Sequence, residues 1–309
     1  MQINKKQLET LFELNLSQKC IKLIDALDLN YSNLSQEDRD RHIQKCINYL
    51  DEKIIRSGKS RKPAWENGWG ENANDFFSSD LDIDTLLPHY YRRGKSIMRF
   101  QGDYILPKDD MFEAKFLSII QSIVAENFLD KYEHIYELGA GPCHNVVAFA
   151  QQLKNKNFYV TDWVDPTVKI IKHIEDNKNA MGFGSHTFDG RTFDYFNLDN
   201  KFNIKKGSVV LTWGSMEQIG SQHTDLLSFF LSQSNVDFIH IEPTLELYQN
   251  NLFDQLAHDY SIKRNYLNGY FTDLFKLEAE EKINVTYKKR IIGSAFHDGW
   301  TIVCWTKNS

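Results

Sequence analysis

The stretch IYELGAGPCHNVVAFA, Ile135 to Ala150, decides the fold class of this chain. An apolar run comes first, Gly139 and Gly141 interrupt it, and a run with helical character follows. Glycine lets a chain turn sharply and lets the backbone approach a ligand closely. The first turn of the following helix leaves N–H groups free. The stretch therefore predicts a strand–loop–helix unit that binds a ligand at its loop.

Short apolar runs alternate with helical segments from about residue 112 to the end of the chain. The runs cover residues 134–138, 157–162, 186–196, 208–213, 236–242, 283–290 and 300–305. Such alternation predicts a parallel sheet with helices on both faces. The last two runs are joined without a helix, which favours an antiparallel hairpin. We predict an α/β fold with a Rossmann-like, seven-stranded, mostly parallel sheet and an antiparallel terminal β-hairpin.

The N-terminal third has a different pattern. Residues 1–54 carry apolar side chains at helical spacing, and residues 56–80 are polar, glycine-containing and aperiodic. We predict helices for the first segment and a long loop or linker for the second, with Trp65 and Trp69 as its anchors. The expected organisation is an N-terminal helical or lid region, 1–110, followed by a domain at 111–309.

Composition limits the class of partner. The 309-residue chain has a net charge of −6, which does not suggest the broad basic face of a nucleic-acid-binding protein. A local basic cluster of Arg92, Arg93, Lys95 and Arg99 is more often a solvated face. The four cysteines are scattered and suit a reducing cytoplasm. No apolar run of about 18 residues predicts a membrane span. We expect a cytoplasmic protein with a small-molecule substrate, no nucleic-acid partner, no membrane association and no bound metal.

The charge beside the glycine loop narrows the choice of cofactor class. A dinucleotide site reads Gly-x-Gly-x-x-Gly and holds a pyrophosphate at the helix N-terminus. Here His144 stands in place of the last glycine, and Glu137 directly precedes the loop. Because a carboxylate would repel a pyrophosphate, the residues favour a cofactor that carries positive charge. S-adenosylmethionine (SAM) carries a sulfonium and an ammonium group.

The segment ELGAGPCHN resembles motif I of the class I SAM-dependent methyltransferases, usually written Asp/Glu-x-Gly-x-Gly-x-Gly. The resemblance covers roughly residues 112–309 and extends to the strand order, including the terminal hairpin. It implies SAM as the cofactor. It places Asp162 against both ribose hydroxyls and Trp213 near the methionine part. Trp163 follows Asp162 and could cover the adenine, and a helix-capping role is the alternative for Asp162. The cofactor-binding residues expected on this basis are Glu137, Gly139, Gly141, Asn145, Asp162, Trp163, Phe193, Asp194, Trp213 and Arg99.

Two of these assignments have reasons of their own. Asp194 is preferred to Asp189 for the adenine amino group because Phe193 and Tyr195 could supply aromatic walls beside it. Arg99 is expected to pair with the cofactor carboxylate, because a guanidinium recognises a carboxylate in two-point fashion. A surface ion pair is the alternative for Arg99.

Methyl transfer to an alcohol needs a general base within hydrogen-bond reach. Glu242 ends the run 236–242 and is expected to face the substrate, with a capping or core role as the alternative. His240 points the same way two residues deeper, where a satisfied buried histidine is the common case. The catalytic candidates are Glu242, His240, His223 and Glu217. His297 on the terminal hairpin is a further possible base, and Arg264 lies where substrate-binding insertions often occur.

The sequence thus predicts a SAM-dependent methyltransferase that acts on oxygen. The expected acceptor is small and hydroxylated, such as a sugar, a glycan precursor or a secondary metabolite. The alternatives are an N-methyltransferase of a small molecule, an inactive methyltransferase-like partner subunit and an NAD(P)-dependent oxidoreductase. Oligomeric state is not predicted.

Overall fold

The computed structural model describes residues 1–92, 94–199 and 201–308, so Arg93 of the basic cluster lies outside the described residues. In this part of the chain ten strands form one mixed sheet. They are β1 (Tyr31–Asn33), β2 (Met98–Phe100), β3 (Asp103–Pro107), β4 (His134–Leu138), β5 (Asn157–Asp162), β6 (Thr187–Thr192), β7 (Ser208–Trp213), β8 (Val236–Glu242), β9 (Ile283–Gly293) and β10 (Trp300–Lys307).

Ten α-helices accompany the sheet in the described residues. They are α1 (Lys5–Phe12), α2 (Gln18–Ala26), α3 (Gln36–Asp51), α4 (Lys62–Ser78), α5 (Phe112–Val124), α6 (His144–Ala150), α7 (Asp165–Asn177), α8 (Thr224–Ser232), α9 (Leu252–Arg264) and α10 (Tyr270–Ala279). None of the described helices is long and apolar enough to cross a membrane.

The strand order is β1-β3-β2-β9-β10-β8-β7-β4-β5-β6. Strand β4 pairs in parallel with β5 and β7, and the pairs β5–β6 and β7–β8 are also parallel. Strand β10 is antiparallel to both β8 and β9. The α/β Rossmann-like class is confirmed, and every predicted run forms a strand.

The predicted strand number is wrong, because the sheet has ten strands rather than seven. Strands β1, β3 and β2 extend the edge beyond β9, where Arg99 faces Gly293 and Phe100 faces Ile292. Each of these strands is three to five residues long, too short to show a period-two pattern in the sequence. The boundary near residue 110 stays a prediction, although the sheet itself is continuous across it.

The loop predicted for residues 56–80 is also wrong, because most of it is helix α4. Its glycines, Gly68 and Gly70, lower helix propensity and hid the pattern. Tertiary packing offsets that cost: Asn72, Ala73 and Phe76 are buried. Helix α4 packs on α7.

Both faces of the sheet are buried, and successive residues of one strand serve opposite cores. Ile135 of β4 belongs to the core beneath α5, α6 and α7, and Tyr136 belongs to the core beneath α8 and α10. Ligands of such sheets bind at the carboxyl ends of the strands. Glu137, Asp162 and Glu242 lie at this edge, near the ends of β4, β5 and β8.

Candidate functional site

The backbone of the loop between β4 and α6 turns sharply at two glycines. Gly139 and Gly141 have φ values of +75° and +55°, in the region that favours glycine. The N–H groups of Gly139 and Ala140 both donate to the Thr161 carbonyl, at 2.8 and 2.9 Å. Cys143 also has a positive φ, 64°, at the start of α6. A buried cysteine therefore occupies a backbone position that usually selects glycine.

Asp162, at the end of β5, supports this loop from the neighbouring strand. Its Oδ2 accepts a hydrogen bond from the Gly141 N–H at 2.9 Å, and its Oδ1 accepts from the Val164 N–H at 3.3 Å. Burial raises the pKa of Asp162 to about 6, although these backbone hydrogen bonds oppose the rise. Each carboxylate oxygen keeps a further lone pair, so the carboxylate can accept additional hydrogen bonds.

Glu137 lies beneath the loop, and only one of its two carboxylate oxygens is hydrogen-bonded among the described residues. Its Oε1 accepts from the Asn145 side-chain amide at 2.9 Å, and Gln121 fixes that amide by donating to the Asn145 Oδ1 at 2.9 Å. Among the described residues, Oε2 is buried with no hydrogen-bond partner. Burial raises the pKa of Glu137 to about 8, the Asn145 hydrogen bond opposes the rise, and the charge of Asp162 adds to it. Such a group needs either a proton or a nearby cation.

A cavity of about 550 Å³ opens over the loop. Helix α4 covers it: the Trp65 indole N–H donates to Gln218 at 3.2 Å. The Trp69 ring lies against the loop, so a Cβ on Gly141 would be 3.1 Å from it. The cofactor-binding and catalytic residues expected from the sequence that line the cavity are Gly139, Gly141, Asn145, Asp162, Trp163, Phe193, Trp213 and Glu217. Arg264 and His297 line it too, whereas Glu137 lies outside the lining.

Several polar atoms around the cavity have no partner among the described residues. They are the Nε1 of Trp213, the Nε of Arg264 and the Nδ1 of His144, in addition to Glu137 Oε2. The three nitrogens belong to residues that line the cavity. Buried polar groups in proteins are nearly always hydrogen-bonded. The cavity therefore fits a polar ligand with hydrogen-bond acceptors.

Glu242 does not line the cavity. Its buried carboxylate accepts from the N–H groups of Ser215, Met216 and Glu217, at 3.0, 3.1 and 3.3 Å. Burial raises its pKa to about 7. The Glu242 side chain was expected to face the substrate from the end of β8. It instead binds the backbone of the turn after β7, so the alternative of a capping or core role describes its position.

His240 is buried and lies outside the cavity lining. The Trp305 indole N–H donates to its Nε2 at 2.9 Å, so the proton lies on Nδ1, which contacts the Thr212 hydroxyl at 2.9 Å. Tyr270 also contacts Nε2, at 2.9 Å. Burial lowers the pKa of His240 to about 3. With both nitrogens satisfied away from the cavity, His240 is a structural residue rather than a base.

Two more candidates lie away from the cavity lining. His223 precedes α8 and pairs with Asp273 on α10 at 2.9 Å. Asp194 accepts from the Phe196 N–H at 2.9 Å and so closes a local turn. The neighbouring aromatic side chains Phe193 and Tyr195 do line the cavity. A local backbone hydrogen bond thus engages one oxygen of the carboxylate that the adenine was expected to meet, and Asp194 does not line the cavity.

Arg99 is in a buried ion cluster instead of at the cofactor. Its guanidinium donates to Asp298 Oδ1, to Asp254 Oδ1 and to the Phe253 carbonyl, at 2.9, 2.9 and 2.8 Å. Arg290 binds the same two carboxylates. All three directions of the Arg99 guanidinium are occupied, so it is not available to a cofactor carboxylate.

Aromatic residues that the sequence did not single out form the rest of the cavity. Tyr260 and Tyr266 place their rings 5.3 and 5.2 Å from the His297 ring, and Phe296 stacks on Tyr260 at 5.1 Å. These residues come from α9, from the segment after it and from the loop between β9 and β10. Their single positions carry no periodic signal, so only the fold shows that they meet.

No protein-family model matches the chain, and no curated protein matches it. Among solved structures, mitomycin 7-O-methyltransferase MmcR is similar at 9% identity and a TM-score of 0.44, over 64% of this chain and 56% of that one. Magnesium protoporphyrin IX methyltransferase ChlM of Synechocystis PCC 6803, with bound S-adenosylhomocysteine, is similar at 13% identity and a TM-score of 0.43, over 64% and 84%. The 16S rRNA methylase ArmA is similar at 14% identity and a TM-score of 0.44, over 78% and 98%.

All three are methyltransferases, the class that the glycine loop resembles. The chain spans less than two thirds of the length of MmcR. Because the similarity is distant, cofactor and reaction have to be inferred from the residues of this chain. Within the described residues, no group of three or more His, Cys, Asp or Glu side chains is arranged to hold a metal ion.

Proposed function

We propose that the protein is a SAM-dependent methyltransferase that methylates oxygen on a small hydroxylated acceptor. The observation that carries the proposal is the buried Oε2 of Glu137 beneath the glycine loop, which has no hydrogen-bond partner among the described residues. Glu137 is not alone at this edge, since Asp162, Glu217 and Glu242 lie close by. Burial is the main cause that raises the pKa values of Glu137 and Glu217, and the charges of Asp162 and Glu242, respectively, add to it.

This surplus of carboxylates selects between the cofactor classes. A pyrophosphate would add negative charge beside Glu137 and Asp162, where the charge of Asp162 already adds to the rise in the pKa of Glu137 that burial causes. A sulfonium and an ammonium group would relieve that repulsion. The charge of the site therefore supports SAM and argues against NAD(P).

The residues of the cavity fit the parts of SAM. Asp162 offers carboxylate oxygens to two adjacent ribose hydroxyls, and Trp163 and Phe193 offer aromatic faces to the adenine. Trp213 Nε1, a donor without a partner among the residues that the structure describes, suits the cofactor carboxylate and replaces Arg99 in that role. When bound, SAM supplies an electrophilic methyl group on sulfur. The protein orients the acceptor, and the cover of α4 excludes water.

Calorimetric titration of the protein with SAM and with NAD, from pH 6.5 to 8.5, tests which cofactor binds. A bound cation favours ionised Glu137, whose pKa in the free protein is about 8. Binding then releases a proton below that pH, so the contribution of Glu137 to SAM affinity should rise with pH, by about 25-fold over this range. In Glu137→Gln the affinity should fall and its pH dependence should flatten. The ammonium group of SAM titrates equally in both proteins, so the difference between them isolates Glu137.

The opposite results are equally definite. Tight binding of NAD without SAM would mean an oxidoreductase. An unchanged affinity and pH dependence in Glu137→Gln would remove the observation on which the cofactor proposal rests. Binding of SAM with no transfer to any acceptor would favour an inactive partner subunit.

Gly139→Ala should weaken SAM binding by about tenfold or more. A Cβ at this position would lie 2.3 Å from the Ser215 Cβ, and the φ of +75° is unfavourable for alanine, so the loop must move. Gly68→Ala is the matched control, because Gly68 is inside α4 with open space around its Cβ position. That change should preserve SAM affinity and stabilise the fold by up to about 1 kcal/mol. Equal SAM affinity in wild type and Gly139→Ala would contradict a role of this loop.

The shape and chemistry of the cavity support a small, oxygen-bearing acceptor. Helix α4 closes one side, and tyrosine and tryptophan rings form much of the wall. Arg264 Nε is a buried donor without a described partner, and it suits an acceptor oxygen. Glu217 lies at the same end, and burial raises its pKa to about 8. Near neutral pH it is largely protonated, so it can donate a hydrogen bond.

A pooled metabolite extract and SAM with a ¹³C-labelled methyl group test the acceptor class. We expect labelled products that are small molecules with the methyl group on oxygen, as fragmentation mass spectrometry and ¹³C shifts would show. A methyl group on nitrogen would support the N-methyltransferase alternative. Label that enters only protein or RNA would overturn the acceptor proposal and leave the cofactor proposal intact.

A further inference from the structure

We infer that His297, in the loop of the terminal hairpin, is the general base that takes the proton of the acceptor hydroxyl through Nε2, and that Ser294 is its positioning residue. The inference rests on the proposed function and names a catalytic group for it. His297 lines the same cavity as the glycine loop. Of the histidines and carboxylates considered above as bases, only His297 and Glu217 do so.

The His297 ring is held by its neighbours in one orientation. It lies 5.3 Å from the Tyr260 ring and 5.2 Å from the Tyr266 ring. Its Nδ1 contacts the Ser294 hydroxyl at 3.1 Å. No hydrogen bond to Nε2 exists among the described residues. One nitrogen is thus fixed by the hairpin, and the other is left for a ligand.

The contacts of Ser294 bear on which nitrogen carries the proton. Its hydroxyl lies 3.1 Å from Nδ1 and 3.5 Å from the His297 carbonyl, and it accepts from the Phe296 N–H at 3.4 Å. A hydroxyl has one proton. In the inferred arrangement that proton is directed to the carbonyl, which can only accept, so Nδ1 donates to Ser294 Oγ and Nε2 keeps a free lone pair. This is the tautomer that a general base needs.

Burial keeps the imidazole of His297 neutral. Burial is the main cause that lowers the pKa of His297 to about 4. Arg99 and Arg264 lower it further, and the neighbouring Asp298 opposes them. Near pH 7 the His297 ring is therefore unprotonated, whereas Glu217, with a pKa of about 8, is mostly protonated.

The step balances as an in-line displacement. The acceptor oxygen forms a bond to the methyl carbon, and the carbon–sulfur bond breaks with its electron pair going to sulfur. The hydroxyl proton goes to Nε2 of His297. The positive charge of the sulfonium is thereby replaced by the charge of an imidazolium, which later returns its proton to water.

His297→Asn tests the role with little change in packing, since the asparagine amide can still donate to Ser294. Transfer from labelled SAM to the metabolite extract should fall about 100-fold or more, within the range for general-base catalysis. SAM affinity by calorimetry should stay within about threefold. The residual rate at saturating SAM should rise with pH as hydroxide replaces the base. Glu217→Gln is the matched comparison and should lose less activity than His297→Asn.

A second measurement does not depend on activity. In protein with ¹⁵N-labelled histidine, the His297 signals are those missing from His297→Asn, and they should show the Nδ1–H tautomer at pH 7. Ser294→Ala should mix the two tautomers and lower the rate by about tenfold. The Nε2–H tautomer in wild type would overturn the inference. A wild-type rate in His297→Asn, with SAM still bound, would also overturn it, whereas a wild-type protein that binds no SAM would overturn the proposed function itself.

Discussion

Asp162→Asn should weaken SAM binding about 100-fold. The carboxylate of Asp162 is buried at the end of β5 and lines the cavity. Two hydrogen bonds from ribose hydroxyls to a charged acceptor contribute about 1.5–3 kcal/mol each. The loss of most of that energy corresponds to two orders of magnitude in affinity. Isothermal calorimetry with SAM and with S-adenosylhomocysteine would measure it.

The same carboxylate also supports the glycine loop, so a single variant cannot separate the two roles. A cycle with the 2′,3′-dideoxy analogue of S-adenosylhomocysteine can separate them. If Asp162 binds the hydroxyls, the analogue should bind wild type much more weakly than the parent compound, and Asp162→Asn should bind both alike. If Asp162 acts only through the Gly141 amide, both ligands should lose equal affinity in the variant.

Asp165→Asn is the control for a general effect of charge. Asp165 is exposed in the first turn of α7, three residues after Asp162, and does not line the cavity. Its replacement should leave SAM affinity within about twofold. If both variants lost the same affinity, the cause would be the summed field of the acidic residues rather than a ribose contact.

The sheet could be predicted from the sequence because its seven longer strands are strongly patterned. Runs such as 208–213 and 236–242 are almost wholly buried, and they alternate with helices. The three short edge strands carry too few residues for a pattern. Helix α4 was missed because Gly68 and Gly70 weaken the local signal, whereas its stability comes from packing on α7.

The candidate site also has a part that local sequence patterns predict, where the cofactor is proposed to bind, and a part that depends on tertiary structure, where the acceptor is proposed to bind. The cofactor half follows from local order, since a glycine loop and the end of the next strand must be neighbours in a parallel sheet. The acceptor half depends on where side chains point. The Glu242 side chain turns to the amides after β7, and the His240 side chain turns into a core of Thr212, Tyr270 and Trp305. No property of those residue types in the sequence indicates these choices.

Arg99 shows most clearly what could not be predicted from the sequence, because its partners are distant along the chain. Asp254 and Asp298 lie 155 and 199 residues away along the chain. Their carboxylates are nearly inaccessible, and hydrogen bonds and charges of Arg290 and Arg99 hold the pKa of Asp254 below its usual value although burial acts to raise it. The cluster ties β2 to α9 and to the terminal hairpin, next to His297.

Arg99→Met should therefore lower the free energy of unfolding by about 3–5 kcal/mol, because it leaves two buried carboxylates to share one arginine. Urea denaturation would measure the loss, and SAM affinity should change by less than about threefold in the folded variant. Arg191→Met is the control: Arg191 pairs with Asp189 at 2.8 Å, but its side chain is 65% exposed, so it should cost less than about 1 kcal/mol. If Arg99→Met kept the stability of wild type and instead bound SAM about 100-fold more weakly, Arg99 would be a cofactor ligand after all.

Because the cluster also fixes the loop that carries His297, the folded variant should transfer methyl groups more slowly than wild type at saturating SAM. That combination, a destabilised protein with normal cofactor affinity and a slower reaction, distinguishes a residue that positions the acceptor end from one that binds the cofactor.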